Sequence, residues 1–277
     1  MNSTYRVAAG SGEHLSVHAH GEGEPVVLVH GIPGSSAVWG RVVPRLEREH
    51  RVLVPDLLGF GDSSRPSDAA WADRQAEALE TLLDGTAGPA ALVAHDFGVP
   101  VVLSLYRRRP DLVSHLLLAA GNAFPDTPIP LPISAVTWPL VGGLLGRFLF
   151  AGPSLAMMLR QGVGKDGPSL DRADYLGDAA QQRAIRQLFA SALRNLDELY
   201  APIAEMLPTI AVPTCVVWGG DDPFFSVATG ERTAAQIPGG ELVVLPGCGH
   251  FIPAERPGEL AAAITELLAR PLSRGRE

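Results

Sequence analysis

Six stretches of this chain are apolar without alternation, at residues 26–29, 52–54, 90–93, 116–120, 215–218 and 242–245. Continuous hydrophobicity of this length marks strands covered on both faces, as in a parallel sheet. Residues 69–83, 99–109 and 254–269 instead repeat apolar side chains at helical spacing, between or after those runs. Such β–α alternation predicts an α/β fold with a mostly parallel sheet and helices on both faces. Residues 15–20 alternate apolar with polar and predict an antiparallel edge hairpin.

The rhythm breaks between residues 123 and 207. Pro125, Pro128, Pro130, Pro132 and Pro139 come first, followed by helix-like stretches at 140–150, 153–160 and 179–207. This interval reads as a helical cap inserted after the strand that ends near Ala120. The chain then divides into a core segment 1–122, a cap 123–208 and a second core segment 209–277, the last few residues a frayed tail. A cap in that position would lie over the carboxyl ends of the strands, where ligands bind in open α/β sheets.

Composition narrows the partners. With 277 residues and a net charge of −8, the chain suits one α/β core with an insertion and disfavours nucleic acid or an anionic membrane. Two cysteines, Cys215 in a strand and Cys248 in a glycine loop, do not make a disulfide framework or a metal site. The first residues lack an apolar leader core, and no segment reaches the ~18 uninterrupted apolar residues of a membrane span. The expectation is a cytoplasmic monomer or homodimer that acts on a small neutral molecule without cofactor or metal.

Candidate chemistry lies at the ends of the apolar runs. Ala94-His95-Asp96-Phe97-Gly98 follows the run 90–93 and precedes a helix, so a carboxylate occupies a sharp strand-to-helix turn with small residues on either side. A lone Asp there usually caps the next helix; partners decide otherwise. Gly219-Gly220-Asp221-Asp222-Pro223 ends the run 215–218 and offers Asp222, or Asp221 if the turn shifts by one, as an acid. Pro246-Gly247-Cys248-Gly249-His250 then presents one imidazole, 28 residues after Asp222, a gap that suits one helix and one strand. Upstream, His30-Gly31-Ile32-Pro33 places a turn after the run 26–29, where the Ile32 and Phe97 amides would form an oxyanion hole.

As a set these motifs resemble the α/β-hydrolase superfamily, in the branch with an Asp nucleophile that includes epoxide hydrolases and haloalkane dehalogenases. His30-Gly31-Ile32-Pro33 is similar to the HGxP turn of that branch, and Asp56 to Ser64 to its D-x-x-G-x-G-x-S loop. The resemblance implies an eight-stranded α/β-hydrolase sheet with an inserted cap, and the triad Asp96, Asp222 and His250. It further implies that Asp96 attacks carbon to form an alkyl ester, which water activated by His250 then hydrolyses. Haloalkane dehalogenases usually hold halide with a Trp after the nucleophile plus an Asn in HGxP or a cap Trp; this chain has Phe97 and Ile32, which leaves Trp138 in the cap as the donor. Epoxide hydrolases use two cap tyrosines, for which the cap offers Tyr175 and Tyr200; Trp138 and Tyr175 are its candidate substrate contacts, with burial against the core as the competing role. Epoxide opening is the first expectation, dehalogenation of a haloalkane or haloacid the second, and a catalytically silent ligand-binding protein the alternative of another class. His30, His95, Asp56, Asp62 and Ser63 are read as structural, and Arg107 to Arg109 as a helix end.

Overall fold

In the computed structural model the described residues are 2–10, 12–66, 72–128, 138, 144, 148, 152–171, 174–175 and 177–272. Their strands are β1 (Ser3–Ala8), β2 (His14–His20), β3 (Glu24–Val29), β4 (His50–Pro55), β5 (Ala90–His95), β6 (Val113–Ala119), β7 (Thr214–Gly219) and β8 (Glu241–Leu245). They form one sheet in the order β1-β2-β4-β3-β5-β6-β7-β8. Pairing is parallel from β4 to β8 and antiparallel where β1 meets β2 and β2 meets β4. The six continuous apolar runs are therefore the parallel strands, and the alternating run 15–20 lies in the antiparallel hairpin.

Burial explains the differences from the sequence pattern. Every residue of β5 is buried, as its unbroken hydrophobicity requires. At β8 the equally apolar Val243 and Val244 stay partly exposed, because this strand is the sheet's edge. β1 escaped the pattern because Ser3-Thr4-Tyr5-Arg6 is polar and only half covered at the opposite edge. The expected C-terminal helix is split into Ile252–Glu255 and Pro257–Leu268, since Pro257 supplies no N–H to continue the first turn and starts the second helix instead.

Helices Ala72–Asp84 and Gly98–Arg108 cover the sheet, with Val227–Gln236 between β7 and β8. Arg107 pairs with Asp73, Arg108 with Glu77 and Glu80, and Arg109 with Asp84 and Asp111. The three arginines thus join neighbouring elements through exposed ion pairs, which solvent screens and which add little to stability. Among the described residues the interval from β6 to β7 carries helices Gly152–Gly162, Ala179–Ala192 and Leu196–Met206 and no strand. The helix expected at 140–150 lies outside the described residues except for Leu144 and Phe148, as do Pro130, Pro132 and Pro139. No described helix is long and apolar enough to cross a membrane.

Chain order places the functional loops. After β3 the chain moves to β4 on one side and later to β5 on the other, so the loops leaving β3 and β5 lie at the sheet's switch point, the place where ligands bind in open α/β sheets. The loop after β4 braces it. Asp56, 2% exposed, accepts N–H bonds from Ser36 at 2.7 Å and Asp62 at 2.9 Å, while Ser63 Oγ donates to the Asp56 carbonyl at 2.6 Å. Removing a charged acceptor strands both amides at ~1–3 kcal/mol each. Asp56→Ala is therefore expected to lower the melting temperature by roughly 5 °C or more, measurable by differential scanning calorimetry.

Candidate active site

Asp96 sits where β5 turns into helix Gly98–Arg108, in the left-handed region at φ 53°. A non-glycine residue there costs ~1–3 kcal/mol and persists only when its surroundings hold it. They do so with the Asp96 N–H on the Ala119 carbonyl at 3.0 Å and the Asp96 carbonyl on the Val99 N–H at 3.0 Å. The neighbouring turn has to be small: a Cβ at Gly31 would lie 2.4 Å from the Asp96 Cβ, and one at Gly98 2.5 Å from the Val29 carbonyl. The strained turn points the carboxylate at the loop after β3, where Asp96 Oδ1 accepts the Ile32 N–H at 2.6 Å. Phe97 follows at the head of the helix, buried.

His250 stands on the other side of the same carboxylate, Nε2 to Asp96 Oδ2 3.4 Å. Its Nδ1 donates to Asp222 Oδ2 at 2.8 Å. Asp222 is itself fixed by its second oxygen, which accepts the Phe224 and Phe225 N–H groups at 2.8 and 3.1 Å, and its side chain is fully buried. Asp221 is exposed, so of the two adjacent acids Asp222 is the one brought to the imidazole. Rings of Phe224, Phe225 and Phe251 surround His250 with centroids 5.1, 5.8 and 5.2 Å away.

Charge in this buried row is cooperative. Burial opposes a charged imidazole, yet Asp222 and then Asp96 raise His250 to about 10. Burial likewise pushes the Asp96 carboxyl up, but the His250 hydrogen bond and charge, His95 and the Ile32 N–H hold it below the ordinary carboxylate value. These shifts favour an imidazolium at His250 beside a carboxylate at Asp96. His95 is kept neutral, lowered to about 4 by burial and the adjacent His250, and its Nε2–H donates to the His250 carbonyl at 2.8 Å. His30 donates from Nδ1 to the Gly31 carbonyl and accepts the Leu57 N–H on Nε2, which ties the loops after β3 and β4 together. Cys248 is buried and pushed up to about 12, chiefly by burial, so it carries no thiolate.

The remaining sequence candidates are not brought to this row. Trp138 is half exposed, whereas Tyr175 is 3% exposed and turns its ring edge to Phe251 at 5.2 Å, one ring removed from His250. Tyr200, on helix Leu196–Met206, is the tyrosine that feels Asp96: burial first, then the Asp96 charge, raise its phenol above the ordinary value. Asn122 follows β6 and is held by Phe124 and Thr127. Periodicity carries no signal for this choice, since it depends on how an insertion folds back. Among the described residues the donor atoms of His18, Asp56 and Asp62 lie within 4.8 Å of one another, but both Asp56 oxygens already accept backbone N–H bonds.

Comparison with known proteins places the chain in a family: it belongs to the alpha/beta hydrolase family, whose pattern it matches over residues 26–263. It is 29% identical to cis-3-alkyl-4-alkyloxetan-2-one decarboxylase of Shewanella oneidensis, over 93% of this chain and 86% of that protein. It is 30% identical to 2-hydroxymuconate semialdehyde hydrolase of a Pseudomonas species (95% and 93% covered) and 29% identical to epoxide hydrolase A of Mycobacterium tuberculosis (96% and 97%). A solved epoxide hydrolase, CorEH, superposes with a TM-score of 0.79 at 21% identity over 97% of this chain and 99% of its own, a likeness of fold. The relatives share one scaffold and differ in chemistry, so the reaction has to be argued from the site.

The ion-pair row makes a spectroscopic prediction. Replacing Asp96 by Asn removes one of the two charges that raise His250, so its imidazole should titrate clearly lower than in the wild-type protein. Nitrogen-15 NMR of the ring checks this; an unchanged titration would show that Asp96 and His250 do not interact.

Proposed function

We propose that this α/β hydrolase opens epoxides of hydrophobic small molecules through a covalent ester on Asp96. The observation that carries the reading is one carboxylate, strained into place, meeting the Ile32 N–H and His250, with its charge reaching the half-buried Tyr200. A carboxylate nucleophile suits attack on saturated carbon, because an ester to carbon can afterwards be cleaved at its carbonyl. In the first step an Asp96 oxygen bonds to a ring carbon, the strained C–O bond breaks, and the departing oxygen takes the Tyr200 proton. Tyr200 is the phenol chosen for this because the Asp96 charge reaches it.

Esterification also switches on the base. Asp96 loses its charge, so one of the carboxylates that raise His250 disappears and the imidazolium releases its proton to solvent at lower pH. Neutral His250 then takes a proton from water, and the hydroxide adds to the Asp96 carbonyl carbon. The Ile32 and Phe97 amides face the resulting oxyanion, for which each well-placed donor is worth ~3 kcal/mol. Collapse expels the diol, the Asp96 carboxyl proton passes to the departing alkoxide, His250 keeps the water proton as its resting imidazolium, and the Tyr200 phenolate regains a proton from solvent. Atoms balance as epoxide plus water to diol. The 29% identity to an epoxide hydrolase along nearly the whole chain supports this reading.

A second reading follows from the single phenol. An oxetan-2-one opened at saturated carbon releases a carboxylate, which needs no proton donor; loss of carbon dioxide would then expel Asp96 and leave an alkene. The relative named for that decarboxylation supports it, but it gives the His250–Asp222 pair no water to activate. Epoxide hydrolysis uses the whole row.

Purified protein offered a styrene oxide-type epoxide, a cis-dialkyl oxetan-2-one and a 1-haloalkane separates these chemistries by product: diol, alkene with carbon dioxide, or free halide. Diol is expected, and Tyr200→Phe should slow its formation by roughly 10²-fold or more. Alkene formation untouched by Tyr200→Phe would favour the second reading, and release of halide alone would exclude both. In single turnovers ester breakdown should rise with pH through the His250 titration, while ester formation stays level wherever Asp96 is ionised; parallel profiles for the two steps would contradict these roles.

A further inference from the structure

A buried carboxylate outside the triad faces the histidine loop from below. Glu255, 6% exposed, closes the short helix Ile252–Glu255, and its Oε1 accepts the Phe251 N–H at 3.0 Å. That bond alone would be ordinary helix capping, with the side chain reaching back to the first free amide. Its other oxygen does something else. Oε2 accepts the Gly249 N–H at 2.9 Å and the Gly164 N–H at 2.8 Å, the latter from the helical insertion, 91 positions away in the chain. One carboxylate thus binds the amides on both sides of His250 and the first turn beyond helix Gly152–Gly162.

A second bond fastens the same two segments: the His250 N–H donates to the Gly162 carbonyl at 2.7 Å. The backbones meet so closely that a Cβ at Gly164 would lie 2.4 Å from the Gly247 carbonyl and 3.0 Å from the Gly249 nitrogen. From the side of the sheet, His95 holds the His250 carbonyl at 2.8 Å. The imidazole's backbone is therefore clamped by the core through His95 and by the insertion through Gly162 and, via Glu255, Gly164.

We propose that Glu255 is a positioning residue that locks the His250 loop to the helical insertion, so that the base is aligned for ester hydrolysis only while the insertion is seated. Charge-assisted bonds to backbone N–H groups are about twice as strong as neutral ones, and a buried carboxylate that loses them is left unpaired. Lifting the 162–164 segment breaks two bonds at once, one on His250 itself and one on Glu255. Nucleophilic attack by Asp96 does not require His250 as a base, whereas ester breakdown does. The lock therefore acts on the second half-reaction and leaves the first nearly untouched. This inference rests on the ester reading above.

The test is Glu255→Gln, which keeps the shape but turns an NH2 group toward at least one of the three N–H donors. With a styrene oxide-type epoxide in single turnovers followed by intact mass spectrometry, ester formation should proceed at nearly the wild-type rate. Its breakdown should slow by about tenfold or more, so that an alkyl-enzyme accumulates. Equal slowing of both steps, or no change in breakdown, overturns the proposal. His250→Gln is the control that separates the two claims: if it traps no adduct, the ester reading fails whatever Glu255 does. Amide hydrogen exchange on the wild-type protein adds a readout that needs no variant to fold. The Gly164, Gly249 and Phe251 amides should be protected together, and fast exchange at Gly164 would show that the lock does not form.

Discussion

The charge row Asp222–His250–Asp96 is the constraint on which the rest of the structure turns. Two carboxylates and an imidazole buried together would be costly if any were unpaired. Each is paired: Asp222 by two backbone amides and the imidazole, Asp96 by Ile32 and the imidazole, and His250 by both acids. Because each group stabilises the charged form of the next, the row holds only as a unit. Its backbone supports follow from the same need: a left-handed residue at Asp96, neutral His95 beneath the His250 carbonyl, and Glu255 on the flanking amides.

Much of this was legible in the residues because parallel strands demand continuous hydrophobicity and short, residue-specific turns. The run 90–93 followed by Ala94-His95-Asp96-Phe97-Gly98 announced a tight turn, and the structure shows why: the Gly98 position lies against the Val29 carbonyl and Gly31 against Asp96. The expected pairing of Asp222 with His250 emerges at 2.8 Å, since both loops leave adjacent strands. Hydrophobicity is ambiguous at the two edges of the sheet. β1 is too polar to resemble a strand, and β8 looked buried although it is an edge.

The helical insertion was harder, for a physical reason. Helical periodicity says which face of a segment is apolar, but not onto which part of the sheet an insertion folds. Tyr175 and Tyr200 are alike in sequence; one packs against Phe251, and the other lies where the Asp96 charge reaches it. Glu255 had a faint signal, five residues after His250 in a short helix, but its bond to Gly164 depends on contact across 91 positions. Family membership sharpens the fold and leaves the leaving group open, since relatives of similar identity carry names for oxetanone decarboxylation, semialdehyde hydrolysis and epoxide hydrolysis.

The central claim, that Asp96 becomes an ester and is released by attack at its own carbonyl, is tested most directly by one turnover in heavy-oxygen water with enzyme in excess over epoxide. The account predicts that oxygen-18 enters the Asp96 carboxyl group, located by peptide mass spectrometry, while the first diol formed carries none. Label in the diol with none in Asp96 would mean that water attacks the substrate itself, and would contradict the account.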